Sequence, residues 1–263
     1  MSEQSEKMRL LVVIPTYNEI ENIRDIIPAV LAVIPQDAAV LVADDASPDG
    51  TGAAVRELMN EFSGRLYLKE GQGKQGLANA YISSFKWGMD PANVDGKEFN
   101  AFLEMDADFS HKPEYIPHML EALASYDVVI GSRNIRGGAV EGWSALRNCI
   151  SKGGSLYSHL VLACPVKDLT GGFNLWRKTA LERIGLDSII SRGYAFQIEM
   201  KYRAYRAGCS IKEIPIVFPD RKRGQSKMSG GIFTEALKAV WKIRKDCRTA
   251  GKAGKTAAGV TAR

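Results

Sequence analysis

The sequence predicts an α/β protein: a mostly parallel, doubly wound sheet flanked by helices, in a single domain. Three observations lead there. Short, β-branched apolar runs alternate with segments of helical spacing through the first half of the chain. The length, 263 residues with 45% apolar, suits one large core with tails. Polar residues gather where the predicted strands end, which is where ligands bind in open α/β sheets.

The elements follow in order. Residues 10–15 (LLVVIP) form a β-branched run closed by Pro15, the pattern of a strand buried on both faces. Ile20, Ile23, Ile27, Val30, Leu31 and Ile34 follow at helical spacing. Residues 39–44 (AVLVAD), 65–70, 99–106 and 127–133 read as further strands, with helices over 50–62 and 76–89. The second half is less regular. A helix is expected over 143–163, with Trp143, Leu146, Ile150, Tyr157, Leu160 and Val161 on one apolar stripe. A helix over 194–207, a strand near 210–215 and a basic loop over 220–229 come next. The domain division expected is a flexible 1–8, a catalytic body over 9–230, an amphipathic basic helix over 231–247 and a disordered basic tail over 248–263.

Composition narrows the function classes. Residues 219–263 hold twelve Lys/Arg against three Asp/Glu, a net of +9, which leaves −4 for the other 218 residues. A basic end on a mildly acidic body calls for an anionic partner. No apolar run approaches the ~18–20 residues of a membrane span. The polar start, MSEQSEKMR, is unlike a secretory signal, so a cytosolic protein is expected. Cys149, Cys164, Cys209 and Cys247 are scattered, with no zinc-site or disulfide spacing.

The residues able to do chemistry sit at the strand ends. Asp106-Ala107-Asp108 places two carboxylates on one face of an extended segment. Hard oxygen ligands at an open strand end suit Mg²⁺ or Mn²⁺, with diphosphate oxygens and water completing the shell. Asp44-Asp45 can accept hydrogen bonds from a ribose or base, while Ser47 or Asp49 can cap the next helix. No GxGxxG follows the first strand, which disfavours a nicotinamide or flavin site. Arg133 ends the fifth strand, and Arg147 and Ser151 lie one helical turn apart. Arginine forks match phosphate oxygens. The loop around Arg221 and Lys227 could close over a phosphate-rich ligand on Gly224. His111 is open to two roles, a general base or a loop contact.

As an ordered set these motifs resemble a known family. They are Pro15-Thr16-Tyr17-Asn18-Glu19, Asp44 to Thr51, Asp106-Ala107-Asp108, Gly131-Ser132-Arg133, Asp168 to Phe173 and Arg221 to Lys227. The set resembles the family-2 glycosyltransferases of the GT-A fold, a Rossmann-like architecture, and within them the dolichol- and polyprenol-phosphate mannose synthases. The resemblance implies that Pro15, Tyr17, Glu19, Asp44 and Asp45 hold the nucleoside of GDP-mannose. It implies that Asp106 and Asp108 bind the metal, with Ala107 beside them at the diphosphate. Arg133, Arg147 and Ser151 would hold the phosphate of a polyprenyl or dolichyl acceptor, and Arg221 and Lys227 the donor phosphates. Asp108, Arg133 and Arg221 would carry the transfer step. Gln197 and Glu199 match a further family stretch. Departures are Ser110, where some relatives carry Gln, Ala78 after Gly76-Leu77, and Asn174, where many carry Arg or Lys. Some relatives carry C-terminal membrane helices, and this sequence is expected to belong with those lacking them. The partners expected are GDP-mannose, the lipid phosphate and the cytosolic face of a membrane, with room for a small membrane-anchoring subunit and no nucleic acid. Two alternatives stand beside this reading: transfer from UDP-glucose or another sugar nucleotide, and a non-catalytic nucleotide or nucleic-acid binder.

Overall fold

The computed structural model describes residues 7–94, 96–143, 145–219 and 238–247. The first strand, β1 (Leu10–Thr16), is buried almost throughout. Its side chains alternate between two cores. Leu11 and Val13 join one hydrophobic cluster, and Leu10, Val12 and Ile14 join the other. That two-sided burial is why the run reads as continuously apolar rather than alternating.

Helix α1 (Ile20–Val33), β2 (Ala39–Asp44), α2 (Thr51–Glu61), β3 (Leu66–Glu70), α3 (Leu77–Met89), β4 (Ala101–Glu104), α4 (Ile116–Leu123) and β5 (Val128–Ser132) follow in sequence. A short strand β6 (Ala139–Val140) precedes α5 (Ala145–Leu162). Then come β7 (Asn174–Arg177), α6 (Lys178–Ile184), α7 (Tyr194–Arg206), β8 (Ile211–Pro215) and β9 (Val217–Phe218). A last helix, α8, covers 238–247. Seven strands form one sheet in the order β3-β2-β1-β4-β7-β5-β8, and β6 pairs with β9 alongside it. The mostly parallel sheet flanked by helices agrees with the sequence reading.

Strand β7 differs from that reading. It was not expected, and it runs antiparallel between β4 and β5. An antiparallel strand enters a sheet at the edge where its parallel neighbours leave. Asn174, the first residue of β7, therefore lies opposite Glu104 and Ile130, near the ends of β4 and β5. The Asp168–Phe173 segment is thereby delivered to the same rim as the ends of β1, β2 and β4.

Two apolar stripes are divided between core and solvent. On α5, Ile150 and Leu160 point outward, joined by Leu156, at 40%, 67% and 59% exposure. Tyr157 and Val161 do pack against the core. On α8, Val240, Ile243 and Cys247 are buried in the core, so this face is occupied by the protein itself, while Trp241 stays exposed. Ile232, Phe233, Ala236 and Leu237, in the first part of the basic helix expected over 231–247, fall outside the described residues, as do the basic loop over 220–229 and the tail.

Between β5 and β6 the chain folds back on itself, with Gly138 N–H donating to Ile135 C=O at 2.9 Å. A methyl group at Gly138 would sit 2.5 Å from the Ser132 carbonyl oxygen and 2.9 Å from the Arg133 carbonyl carbon. Backbone cannot yield there as a side chain can. Gly138→Ala is expected to lower stability by about 1–3 kcal/mol in urea unfolding.

Candidate active site

The strand ends surround a cavity of about 820 Å³. Pro15, Tyr17 and Glu19 from the end of β1 line it, with Asp45 after β2 and Asp106, Ala107 and Asp108 after β4. These seven predicted residues are brought together. Lys74, Gly76, Leu77 and Ala80 close one side, and Ile190 to Gly193 another.

The Asp44-Asp45 pair divides its work. Asp44 is buried and does not line the cavity. Its Oδ1 accepts from Thr16 Oγ1 at 2.7 Å and Ser47 Oγ at 2.6 Å, and its Oδ2 accepts from the Ser47 N–H at 2.9 Å. It ties β1 to the loop after β2, instead of facing the cavity. Asp45 Oδ2 accepts the N–H groups of Gln75 and Gly76, both at 3.0 Å, and so fixes the entry to α3. Asp49 accepts from the N–H of Thr51 and of Ile20, which satisfies the starts of α2 and α1 together.

The carboxylate pair after β4 is held from behind. Asp106 N–H donates to His111 Nδ1 at 3.0 Å, and the Asp106 side chain is 39% exposed. His111 is buried and stacks on Phe173, with ring centroids 4.9 Å apart. Burial holds its pKa down to about 4, so it is neutral, with Nδ1 occupied as an acceptor. His111 positions the backbone of the aspartate pair and is not placed as a base. Ser110 N–H and Oγ both donate to Asp108 Oδ1. The Ser110 hydroxyl is thus committed to Asp108. Among the described residues no group of three or more His, Cys, Asp or Glu gathers as a metal cage. Two carboxylates open to a cavity fit a hard cation that takes its other ligands from substrate and water.

Arg133 is not among the residues that line the cavity. Its Nε and Nη2 make a bidentate pair with Asp168 at 2.8 Å each, and Nη2 also reaches Thr170 Oγ1 at 3.0 Å. Trp143 and Phe218 rings lie against the guanidinium, 5.9 and 5.3 Å away. Burial pushes the Asp168 carboxyl up, but the charges of Arg133 and Lys201 and the Arg133 hydrogen bonds prevail, holding it well below the usual range. Lys201 is fully buried and donates to the carbonyls of Asp168 and Gly171 at 2.9 and 2.6 Å. Burial draws its pKa down to about 8. Glu104, also fully buried, accepts from Asn174 Nδ2 at 2.8 Å and Trp176 Nε1 at 3.1 Å, and burial pushes it up to about 7.

Gln197 Oε1 accepts from Asn174 at 2.8 Å, and Glu199 accepts the Ser191 N–H at 2.8 Å and Arg203 Nε at 2.7 Å. Glu199 thus holds the 190–191 segment that walls the cavity. Ser151 is half-buried on α5 and outside the cavity wall. One turn on, Ser155 Oγ lies 3.1 Å from Thr170 Oγ1, the same hydroxyl that Arg133 touches. Positions 147, 151 and 155 share one face of α5, so that face leads to Arg133. Arg221 and Lys227, and the side chain of Arg147, lie outside the described residues. Sequence reasoning missed Lys201 and the cavity residues Lys74 and Arg192, and gave Lys238 and Lys242 of the basic helix no place in the cavity. Lys74 alone carried a signal, its glycine-rich surroundings, Gly71 to Gly76.

The model of the family described as "Glycosyl transferase family 2" matches residues 11–185. The chain belongs to that family. Among its relatives is the undecaprenyl-phosphate mannosyltransferase of Micrococcus luteus, 43% identical over 88% of this chain and 91% of that protein. The polyprenol monophosphomannose synthase of Mycolicibacterium smegmatis is 41% identical over 90% of this chain and 88% of that protein. Solved structures share the fold. Glucosyl-3-phosphoglycerate synthase of Mycobacterium tuberculosis aligns with a TM-score of 0.65 at 12% identity, over 90% of this chain and 80% of that one. A mannosyltransferase of Pyrobaculum calidifontis in complex with GDP-mannose and Mn²⁺ aligns with a TM-score of 0.56 at 19% identity, over 96% of this chain and 76% of that one.

Removing one partner of a buried ion pair leaves an uncompensated charge, at a cost of about 3–5 kcal/mol. Asp168→Asn should lower stability to urea by that order at pH 7. A carboxyl whose folded pKa is depressed contributes stability above its ordinary value of 3.8, and loses it as pH falls toward the folded value. The gap between wild type and Asp168→Asn should therefore stay constant from pH 7 to about 5 and narrow only below about 4.

Proposed function

We propose that this family-2 glycosyltransferase moves mannose from GDP-mannose to a polyprenyl or dolichyl phosphate, with inversion at the anomeric carbon. The carrying observation is the single cavity wall that joins Pro15, Tyr17, Glu19 and Asp45 to Asp106 and Asp108. Its size, about 820 Å³, suits a nucleotide sugar. The two relatives above, both named for lipid-phosphate mannosyl transfer, support the choice of sugar and acceptor.

Asp106 and Asp108 would hold Mg²⁺ or Mn²⁺, which supplies positive charge to the departing diphosphate. The bond between the anomeric carbon and the donor's β-phosphate oxygen breaks, and GDP leaves with that electron pair. An oxygen of the acceptor phosphate forms the new bond from the opposite face. A phosphate monoester is mostly dianionic near neutral pH, with a second pKa of ~6, so no protein base need take a proton. The neutral, occupied His111 agrees with that. The protein's task is to hold two anions together against their repulsion, by charge and by position.

The acceptor side is supported by α5. The face of positions 147, 151 and 155 leads through Ser155 and Thr170 to Arg133, while Ile150, Leu156 and Leu160 stand exposed on the same helix. Trp241 is exposed on α8, which is tied to α5 by Arg244 bonding to the Val161 carbonyl at 2.7 Å. Exposed apolar side chains on a helix with basic residues suit a lipid headgroup boundary. Among the described residues no helix is long and apolar enough to cross a membrane. Peripheral contact with the cytosolic face through α5, with α8 docked beside it, fits these features.

Incubation with labelled GDP-mannose, polyprenyl phosphate and Mg²⁺ should give labelled lipid, and chelator should abolish it. Asp108→Asn should reduce the rate by on the order of a hundred-fold. Absence of labelled lipid with GDP-mannose, UDP-glucose and other donors alike would end this reading. Separately, Leu156→Ser/Leu160→Ser removes two apolar side chains worth about 1.5–3 kcal/mol each on burial. Flotation with anionic liposomes should fall by about ten-fold or more, while undiminished flotation would exclude α5 as the contact.

A further inference from the structure

The cavity lining holds acids and bases in equal number among the described residues. Glu19, Asp45, Asp106 and Asp108 are the carboxylates. Lys74, Arg192, Lys238 and Lys242 are the bases, and the last two come from α8. The docking of this basic helix turns part of its charge inward. Val240, Ile243 and Cys247 are buried in the core, which fixes the rotation of the helix. Arg244 Nη1 fastens it to the Val161 carbonyl at 2.7 Å. Lys238 and Lys242 are four residues apart, hence on one face, and both reach the cavity wall with Ala239 between them.

We propose that Lys238 and Lys242 bind the phosphates of the donor nucleotide, so that α8 completes the donor site. This rests on the cavity taking a nucleoside diphosphate sugar, as argued above. Without α8 the described lining sets four carboxylates against two bases, a field that repels an anion. With α8 the two sides balance. The surplus positive charge of a divalent cation then matches the two negative charges of a nucleotide-sugar diphosphate. Lysine suits this task as a compact charge on a flexible stem, able to follow a phosphate that leaves with the product. The donor site thus depends on a helix lying after the basic loop, beyond the span matched by the family model, 11–185.

The test is calorimetric titration of the full chain with GDP and with guanosine, in the presence of Mn²⁺. Wild type is compared with Lys238→Ala/Lys242→Ala and with Lys238→Arg/Lys242→Arg. Loss of two charge-assisted phosphate contacts should weaken GDP binding at least about ten-fold in the Ala variant. Guanosine affinity and melting temperature should hold, and the Arg variant should recover most of the loss. The decline of GDP affinity with added salt should become shallower in the Ala variant. In turnover, KM for the donor should rise far more than kcat falls. GDP affinity within two-fold of wild type in a folded Ala variant would overturn the proposal, as would equal losses for GDP and guanosine. If the double variant does not fold, the single Lys238→Gln and Lys242→Gln variants decide by the same ratio. Wild-type protein that binds UDP in place of GDP would overturn the donor assignment, and the lysines would be judged by the same comparison with UDP and uridine. Binding of neither nucleotide would remove both readings.

Discussion

Asp168 is fully buried, and two cations, the part-buried Arg133 and the fully buried Lys201, converge on its segment. Its carboxylate takes the Arg133 fork and the N–H groups of Arg133 and Gly171. Its carbonyl takes Lys201. Buried charge is poor at raising stability but strict about geometry, because every misplacement strands an ion. The 168–173 segment is thereby fixed beneath the site. Phe173, at its end, stacks on His111, and His111 accepts the N–H of Asp106. One chain of contacts thus runs from a buried ion cluster to the carboxylates that face the cavity. Glu199 does the same for the opposite wall through the Ser191 N–H.

The chemistry proposed for the site is electrostatic, and the fold distributes charge to suit it. Of the two adjacent acids at the end of β2, one is consumed in holding strands and loop together, and the other lines the cavity. The aspartate pair after β4 is kept open to solvent on its Asp106 side. Positive charge comes from three directions: Lys74 before α3, Arg192 before α7, and the two lysines of α8. No basic residue needs to titrate during the proposed reaction. A site that gathers two anions needs fixed charges more than it needs a proton carrier.

Much of the fold was legible because parallel strands buried on both faces leave unbroken apolar runs, as in residues 10–15. The rule that ligands gather at strand ends located seven of the cavity residues. Strand β7 was not legible: four residues, Asn174–Arg177, give no period, and its antiparallel direction is set by the pairing of Asn174 with Glu104 and Ile130. Lys201 reads as one more polar residue on a helix, since nothing local reveals that two carbonyls await it. The apolar stripe on α5 was visible, but 3.6-residue spacing is the same whether a stripe faces a core or a lipid. The direction of Lys238 and Lys242 depended on where Val240 and Ile243 dock, which is a tertiary fact. The turn of Asp44 toward Thr16 and Ser47 was not legible for the same reason, since those partners sit on different segments.

The central claim is a single displacement by a phosphate oxygen, with no covalent intermediate and no protein base. The anomeric configuration of the lipid-linked product, read from carbon–hydrogen coupling at the anomeric centre, tests it most directly. Inversion relative to the donor is expected. Retention would contradict it, since retention requires either two displacements or front-face attack.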